Sequence, residues 1–212
     1  MNNLVDVFLN NQSLLINSML DHIRISYVSV LMGITVAVPT GIVLTRHRRA
    51  GEKILAALSV LQTVPSMVMF GFLVPLVGIG KPTAMIVLTL YSILPILRNT
   101  FTGISDVPDN YVEAATGIGM TSAQVLFRVE LPIALPVIVT GIRLACVYTI
   151  SWATLGALVG GGGLGDIIYT GLARYNHPML LLGAIPVSLL TIVTSLVIGR
   201  VAIWVTPSGL RR

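Results

Sequence analysis

The stretch Pro108-Asp109-Asn110-Tyr111-Val112-Glu113-Ala114-Ala115-Thr116-Gly117-Ile118-Gly119, continued through Thr121-Ser122-Ala123-Gln124 to Val129-Glu130-Leu131-Pro132, is a polar island between long apolar segments. Pro108 suits the first turn of a helix, where its missing N–H would be unpaired anyway, and Asp109 puts negative charge at the end the helix dipole favours. A short helix over 108–118 is implied. Gly119 can take the left-handed backbone that ends a helix. Thr121-Ser122-Ala123-Gln124 then reads as a capping box that starts a second helix, and Pro132 marks entry into the next apolar run.

The flanks of this helical pair decide its setting. A 212-residue chain with 55% hydrophobic residues, 10% charged residues and a mean hydropathy of +0.91 would expose too much apolar surface in water. Bilayer lipid must be its solvent, and about 20 apolar residues are needed to cross a hydrocarbon core roughly 30 Å thick. Segments near that length lie at 25–44, 54–77, 83–97, 133–158 and 180–205, the third being the shortest. Pro39, Pro65, Pro75, Pro95, Pro136 and Pro186 fall in or beside them, which lipid permits where neighbouring helices satisfy the freed carbonyls. The expectation is an all-α polytopic membrane protein of about five transmembrane helices. One transmembrane domain covers 1–212, and its longest polar loop is 98–132.

Five crossings put the termini on opposite sides, and Lys and Arg flanking the spans give the orientation. Eight basic residues share one face: Arg46, Arg48, Arg49, Lys53, Arg98, Arg128, Arg211 and Arg212. Arg24, Lys81 and Arg174 lie opposite. The N-terminus is therefore expected outside, with the C-terminus and the polar island in the cytoplasm. The net charge of +5 fits anionic headgroups better than nucleic acid. Residues 1–20 lack a basic region preceding an apolar core and read as a short interfacial helix or a frayed tail, not a cleaved signal. The single cysteine, Cys146, lies in an apolar span, which leaves no disulfide framework or thiolate metal site.

The polar island resembles the cytoplasmic "EAA" signature of ABC-importer permeases, Glu-Ala-Ala-x3-Gly-x9-Ile-x-Leu-Pro. Glu113, Ala114, Ala115, Gly119, Leu131 and Pro132 match it in register, and Val129 stands in the Ile position. Leu155-Gly156-Ala157-Leu158 with Gly160–Asp166, Gly183-Ala184-Ile185-Pro186 and Thr206-Pro207-x-Gly209-Leu210 look like the osmoprotectant branch, importers of glycine betaine, carnitine, choline and related quaternary ammonium compounds. The resemblance implies the type I importer permease fold, a prokaryotic cytoplasmic membrane, and transport without a cofactor. It also implies partners: separate ATPase subunits, a second permease chain (identical or paralogous), and an extracytoplasmic substrate-binding protein carrying the aromatic cage. Glu113 would be the polar contact to the ATPase, Ala114 and Ala115 a close-packing surface, Gly119 the bend, and Leu131-Pro132 the joint to span four.

Other chemistries find little support. Gly78-Ile79-Gly80-Lys81-Pro82-Thr83 lacks the first Gly and the Ser or Thr of a phosphate loop, and Gly160, Gly162 and Gly165 follow an apolar helix, not a strand. Gly162 and Asp166 instead suggest an external bend, either a gate at the pathway mouth or a tight turn. His22, His47 and His177 show no metal-ligand spacing and read as interfacial; no nucleophile elbow is present either. Tyr91, Tyr148 and Trp152 could attract a quaternary ammonium group along a pathway, or simply pack the bundle. Arg143 reads as a snorkelling residue or a partner for a neighbouring chain, and Arg200 and Trp204 as membrane-interface anchors. Alternatives remain: an importer permease for methionine or another amino acid, or a channel or secondary transporter independent of ATP.

Overall fold

The computed structural model describes residues 4–206; Met1 and the closing Pro207, Gly209, Leu210, Arg211 and Arg212 lie outside the described residues. Those described are helices joined by short turns, with no strand among them. In chain order they form α1 (Leu4–Asn10), α2 (Gln12–Thr45), α3 (Arg48–Leu61), α4 (Ser66–Val77), α5 (Lys81–Ser105), α6 (Asp109–Gly117) and α7 (Ser122–Val125). A π-helical turn, Leu126–Glu130, leads into α8 (Leu131–Gly156), followed by α9 (Leu164–Ala173) and α10 (His177–Val205).

The first crossing runs well beyond the apolar window that announced it. Helix α2 has 34 residues, about 51 Å at 1.5 Å per residue, against a core of roughly 30 Å. Asp21, His22 and Arg24 hid its first part, yet Ser18 and His22 are buried against the bundle. On the same helix Gly33, Ala37 and Gly41 recur every fourth residue, the small-residue pattern that lets two membrane helices touch backbone to backbone. They face α5: a side-chain carbon on Gly41 would sit 2.8 Å from Thr100 Cβ, and Ala37 has no exposed surface. Helix α8 packs on the adjoining face of α5 and against α2 as well, and a carbon on Gly141 would lie 2.8 Å from the Pro95 carbonyl oxygen.

Two spans differ from expectation. The third is α5, of 25 residues, not a short 83–97 segment. Its polar continuation is satisfied internally, with Asn99 Nδ2 donating to Pro95 O at 2.8 Å and buried Thr100 Oγ1 to Ile96 O at 2.8 Å. The second is broken: α3 and α4 meet at 88° across Gln62-Thr63-Val64-Pro65. Pro65 cannot donate its nitrogen and forces an extended backbone on the residues before α4. The pair still follows α5 along its length. Gly51 abuts the Phe101 ring, Gln62 Nε2 reaches Tyr91 O, and Phe70 packs with Ala84, Val87 and Leu88. Counting that bent pair as one, five segments among the described residues are long and apolar enough to cross a bilayer.

Helix α10 buries only Leu182, Gly183, Val187 and Thr194 and leaves Leu196 at 62% and Val201 at 42% exposed. A surface so apolar and so bare requires lipid or another apolar chain around it.

Candidate functional site

The polar island folds into a helical hairpin at one end of the bundle. Pro108 precedes α6 as its N-cap residue, and Gly119 ends the helix with φ +88°, where a Cβ would be strained. The Met120 N–H then bonds back to Ala115 O at 3.1 Å. Thr121 and Gln124 form the reciprocal capping box: Thr121 N–H donates to Gln124 Oε1 at 2.8 Å and Gln124 N–H to Thr121 Oγ1 at 3.4 Å.

Two faces result. Ala115 turns inward and is 6% exposed, so it packs the hairpin onto its own chain. Glu113 and Ala114 face outward, and Glu113 makes no hydrogen bond or ion pair among the described residues. Around them Tyr111 is 49%, Ile118 78% and Phe127 66% exposed. The hairpin thus presents a bare apolar patch with a free carboxylate at its rim.

Two connections tie this patch to the bundle. Glu130, 6% exposed, receives both Arg46 guanidinium nitrogens, Nη1 on Oε1 at 3.1 Å and Nη2 on Oε2 at 2.5 Å. That fork joins the hairpin to the end of α2, and such bidentate pairs fix orientation as well as position. The second connection is helical continuity, because residues 122–159 form one unbroken 38-residue run. Pro132 lacks the N–H a regular helix would bond to Arg128 and crowds that carbonyl. The chain answers with a π turn, in which the Leu131 N–H bonds Leu126 O five residues back. Leu131 and Pro132 are half-buried there.

The opposite end collects the glycine-rich bend. Gly160, Gly162 and Gly163 all have φ between +76° and +80°, and the Gly80 N–H donates to Val159 O at 2.8 Å, tying the bend to the turn before α5. Lys81 Nζ bonds Asp21 Oδ1 at 2.8 Å. Gly162 lies against this pair and Asp166, since a carbon added there would come within 3.9 Å of both carboxylates. Desolvation pushes the Asp166 carboxyl above the ordinary carboxylate range, Asp21 pushes it further, and Lys81 opposes them. Beneath the bend His22 is buried against the bundle, with Nε2 3.0 Å from Ile150 O.

Between the two ends the three sequence-selected aromatics meet. Tyr91 and Trp152 touch edge to face with centroids 5.0 Å apart, and Trp152 and Tyr148 lie 5.4 Å apart. Tyr91 is 5% exposed and Tyr148 43%. Arg143 finds a partner within its own chain: its Nε and Nη2 both donate to Ser195 Oγ on α10, at 2.9 and 2.7 Å. Among the described residues no cluster of His, Cys, Asp or Glu could hold a metal ion.

Residues 29–208 match the family profile described as binding-protein-dependent transport system inner membrane component. The chain belongs to this family. Within it the relatives are osmoprotectant permeases. The choline transport system permease protein OpuBB of Bacillus subtilis is 44% identical over 212 residues, covering 100% of this chain and 98% of that one. The carnitine transport permease protein OpuCB of Listeria monocytogenes is 45% identical, covering 95% and 92%. The osmoprotectant import permease protein OsmW of Salmonella typhimurium is 37% identical over 98% and 99%. Among solved structures an inward-facing MetNI methionine ABC transporter chain superposes with a TM-score of 0.84 at 23% identity, over 92% and 98% of the two chains. That likeness establishes the type I importer permease fold of this family member.

In the sequence Arg46 reads only as a topological charge, and the one signal of the Arg46–Glu130 fork is Glu130 itself, an acid between Val129 and Leu131 at the brink of an apolar span.

Proposed function

We propose that the chain is the membrane-spanning subunit of an ATP-driven importer of quaternary ammonium osmoprotectants. In this reading it catalyses no reaction itself; ATP is hydrolysed on separate subunits. The observation that carries the reading is the hairpin. It offers an outward apolar patch beside Glu113, and it is rigidly joined both to α2 through Arg46–Glu130 and to α8 through continuous helix. An ATPase groove gripping Ala114 and Ile118, with a basic or hydrogen-bonding group meeting Glu113, would move both helices when two ATPase subunits close on ATP. The hairpin lies in the cytoplasm, the N-terminus outside, and the Gly160–Asp166 bend at the outer mouth, where a substrate-binding protein docks.

Two permease chains surround the pathway, since five helices are few to enclose one. The substrate class rests on the relatives, which are named for choline, carnitine and glycine betaine. The test is uptake by the importer reconstituted with its ATPase and binding protein. Glycine betaine, carnitine and choline should compete with one another and methionine should not; competition by methionine alone would move the chain to amino acid import. Uptake driven by an ion gradient with no ATPase present would contradict the ABC mechanism. Glu113→Lys or Gly119→Val should abolish uptake at unchanged membrane insertion.

A further inference from the structure

We propose that Tyr148 and Trp152, backed by Tyr91 at the break in the second span, form a transit site within the membrane for the quaternary ammonium group itself. The proposal rests on the substrate class read above and adds where in this chain that group is held. Position comes first. Tyr91 lies ten residues into α5 and the α3–α4 break lies just before the twelve-residue α4, so both sit about 15–18 Å from the same end of the bundle, near mid-membrane for a core of roughly 30 Å.

The break and the ring cluster are one construction. The Tyr91 hydroxyl donates to Val64 O, a carbonyl freed by the bend, and Gln62 Nε2 reaches Tyr91 O at 3.4 Å. Non-helical backbone at this depth is tolerated where protein or a water-filled cavity covers it, and discontinuous helices mark the binding site in many transporters. Exposed polar side chains surround the same place, with Gln62 and Thr63 at the break and Ser151 beside Trp152, one turn from Tyr148. Polar groups so placed favour a wet path over a lipid-facing surface.

The charge pattern selects the ligand. Neither α5 nor α8 carries an Asp or Glu, so a fixed positive charge passing here meets aromatic faces and no carboxylate. A quaternary ammonium has no N–H to donate, and ring faces attract it through the π quadrupole. Arg143 does not spoil the site. It stands nine residues before Trp152 on α8, about 180° round the helix at 100° per residue, and its guanidinium is bound to Ser195 on α10. With Tyr148 only 43% exposed and Tyr91 edge-on behind Trp152, the cluster is an open half-cage, which holds the group weakly enough to release it.

The experiment uses the complete importer, with ATPase and binding protein, in liposomes. Wild type that takes up none of choline, carnitine and glycine betaine would sink the substrate reading itself, and where choline is not carried the same measurements are made with whichever of the other two is. Given wild-type uptake, Trp152→Leu and Tyr148→Leu should each lower choline transport by about tenfold while ATP hydrolysis stimulated by the loaded binding protein stays at the wild-type rate. Trp152→Phe and Tyr148→Phe, which keep a π face, should stay within about threefold. Wild-type transport by Tyr148→Leu would overturn the proposal, and that variant decides alone if Trp152→Leu fails to assemble, because Tyr148 is exposed. Equal losses in the Leu and Phe variants, or parallel loss of hydrolysis and transport, would also overturn it by assigning the rings to packing.

Discussion

Glu130 is the residue on which the hairpin's rigidity turns. Its side chain is 8% exposed while its partner Arg46 remains 46% exposed, so truncating Arg46 strands a buried carboxylate. Arg46→Ala should cost about 2 kcal/mol, below the ~3–5 typical of a fully buried pair because water still reaches the guanidinium. A double-mutant cycle on the thermal stability of the detergent-solubilised protein checks this. Arg46→Ala with Glu130→Ala should be less destabilised than the sum of the singles, and strict additivity would deny the fork. Asp166 gives a prediction of opposite sense. Its carboxyl is raised by desolvation and by Asp21, so folding favours its protonated form, and the ionised form costs stability as pH rises through and above the ordinary Asp range near 3.9. Asp166→Asn should therefore melt at or above the wild-type temperature at neutral pH, with the difference vanishing below about pH 4. A lower melting temperature at neutral pH would show that the charge is needed. At this scale the sequence revealed the residues facing outward, Glu113 and Ala114, better than those that lock the fold. Burial of Ala115 and pairing of Glu130 depend on which helix face returns to α2, and linear spacing does not carry that.

Elements were legible where a local chemical signal existed. Gly119 and the Thr121–Gln124 box both act within a few residues, and the structure has them as read. The length of α2 was not legible because buried His22 finds its partner, the Ile150 carbonyl, only in the folded bundle, and that of α5 was not because Asn99 and Thr100 satisfy themselves on carbonyls one turn back in their own helix, which apolar windows do not register. The π turn was marked by Pro132 but its geometry was not. Pro132→Ala restores the missing donor and should let the turn relax to regular helix, rotating the hairpin against α8. Transport should fall roughly 2- to 30-fold, the range of couplings worth ~0.5–2 kcal/mol, while the ATPase activity of the complex persists. Unchanged transport would mean that the π turn is not part of the lever. The α2–α5 contact makes a stability prediction of its own. Gly41→Leu cannot be housed 2.8 Å from Thr100, and overpacking of about 1–3 kcal/mol or more should shift the protein from a single size-exclusion peak to aggregate. A monodisperse peak of normal yield would refute the close approach.

The described residues form a bundle of up to five crossings with a polar hairpin at one end, a glycine bend and charged cluster at the other, and an aromatic cluster between them. In the proposed importer, force applied at the hairpin would reach the middle of the bundle along one continuous helix, residues 122–159. The bare flank of α10 leaves room for lipid or for the second chain of the proposed importer. The most direct measurement is labelling of a single cysteine at Ala114 in a Cys146→Ser background, in intact cells and in the assembled importer. A membrane-impermeant maleimide should reach Ala114→Cys only after permeabilisation, and a short cross-linker from that cysteine to the ATPase subunit should form and arrest uptake. Labelling from outside intact cells, or uptake that continues with the cross-link in place, would contradict the account.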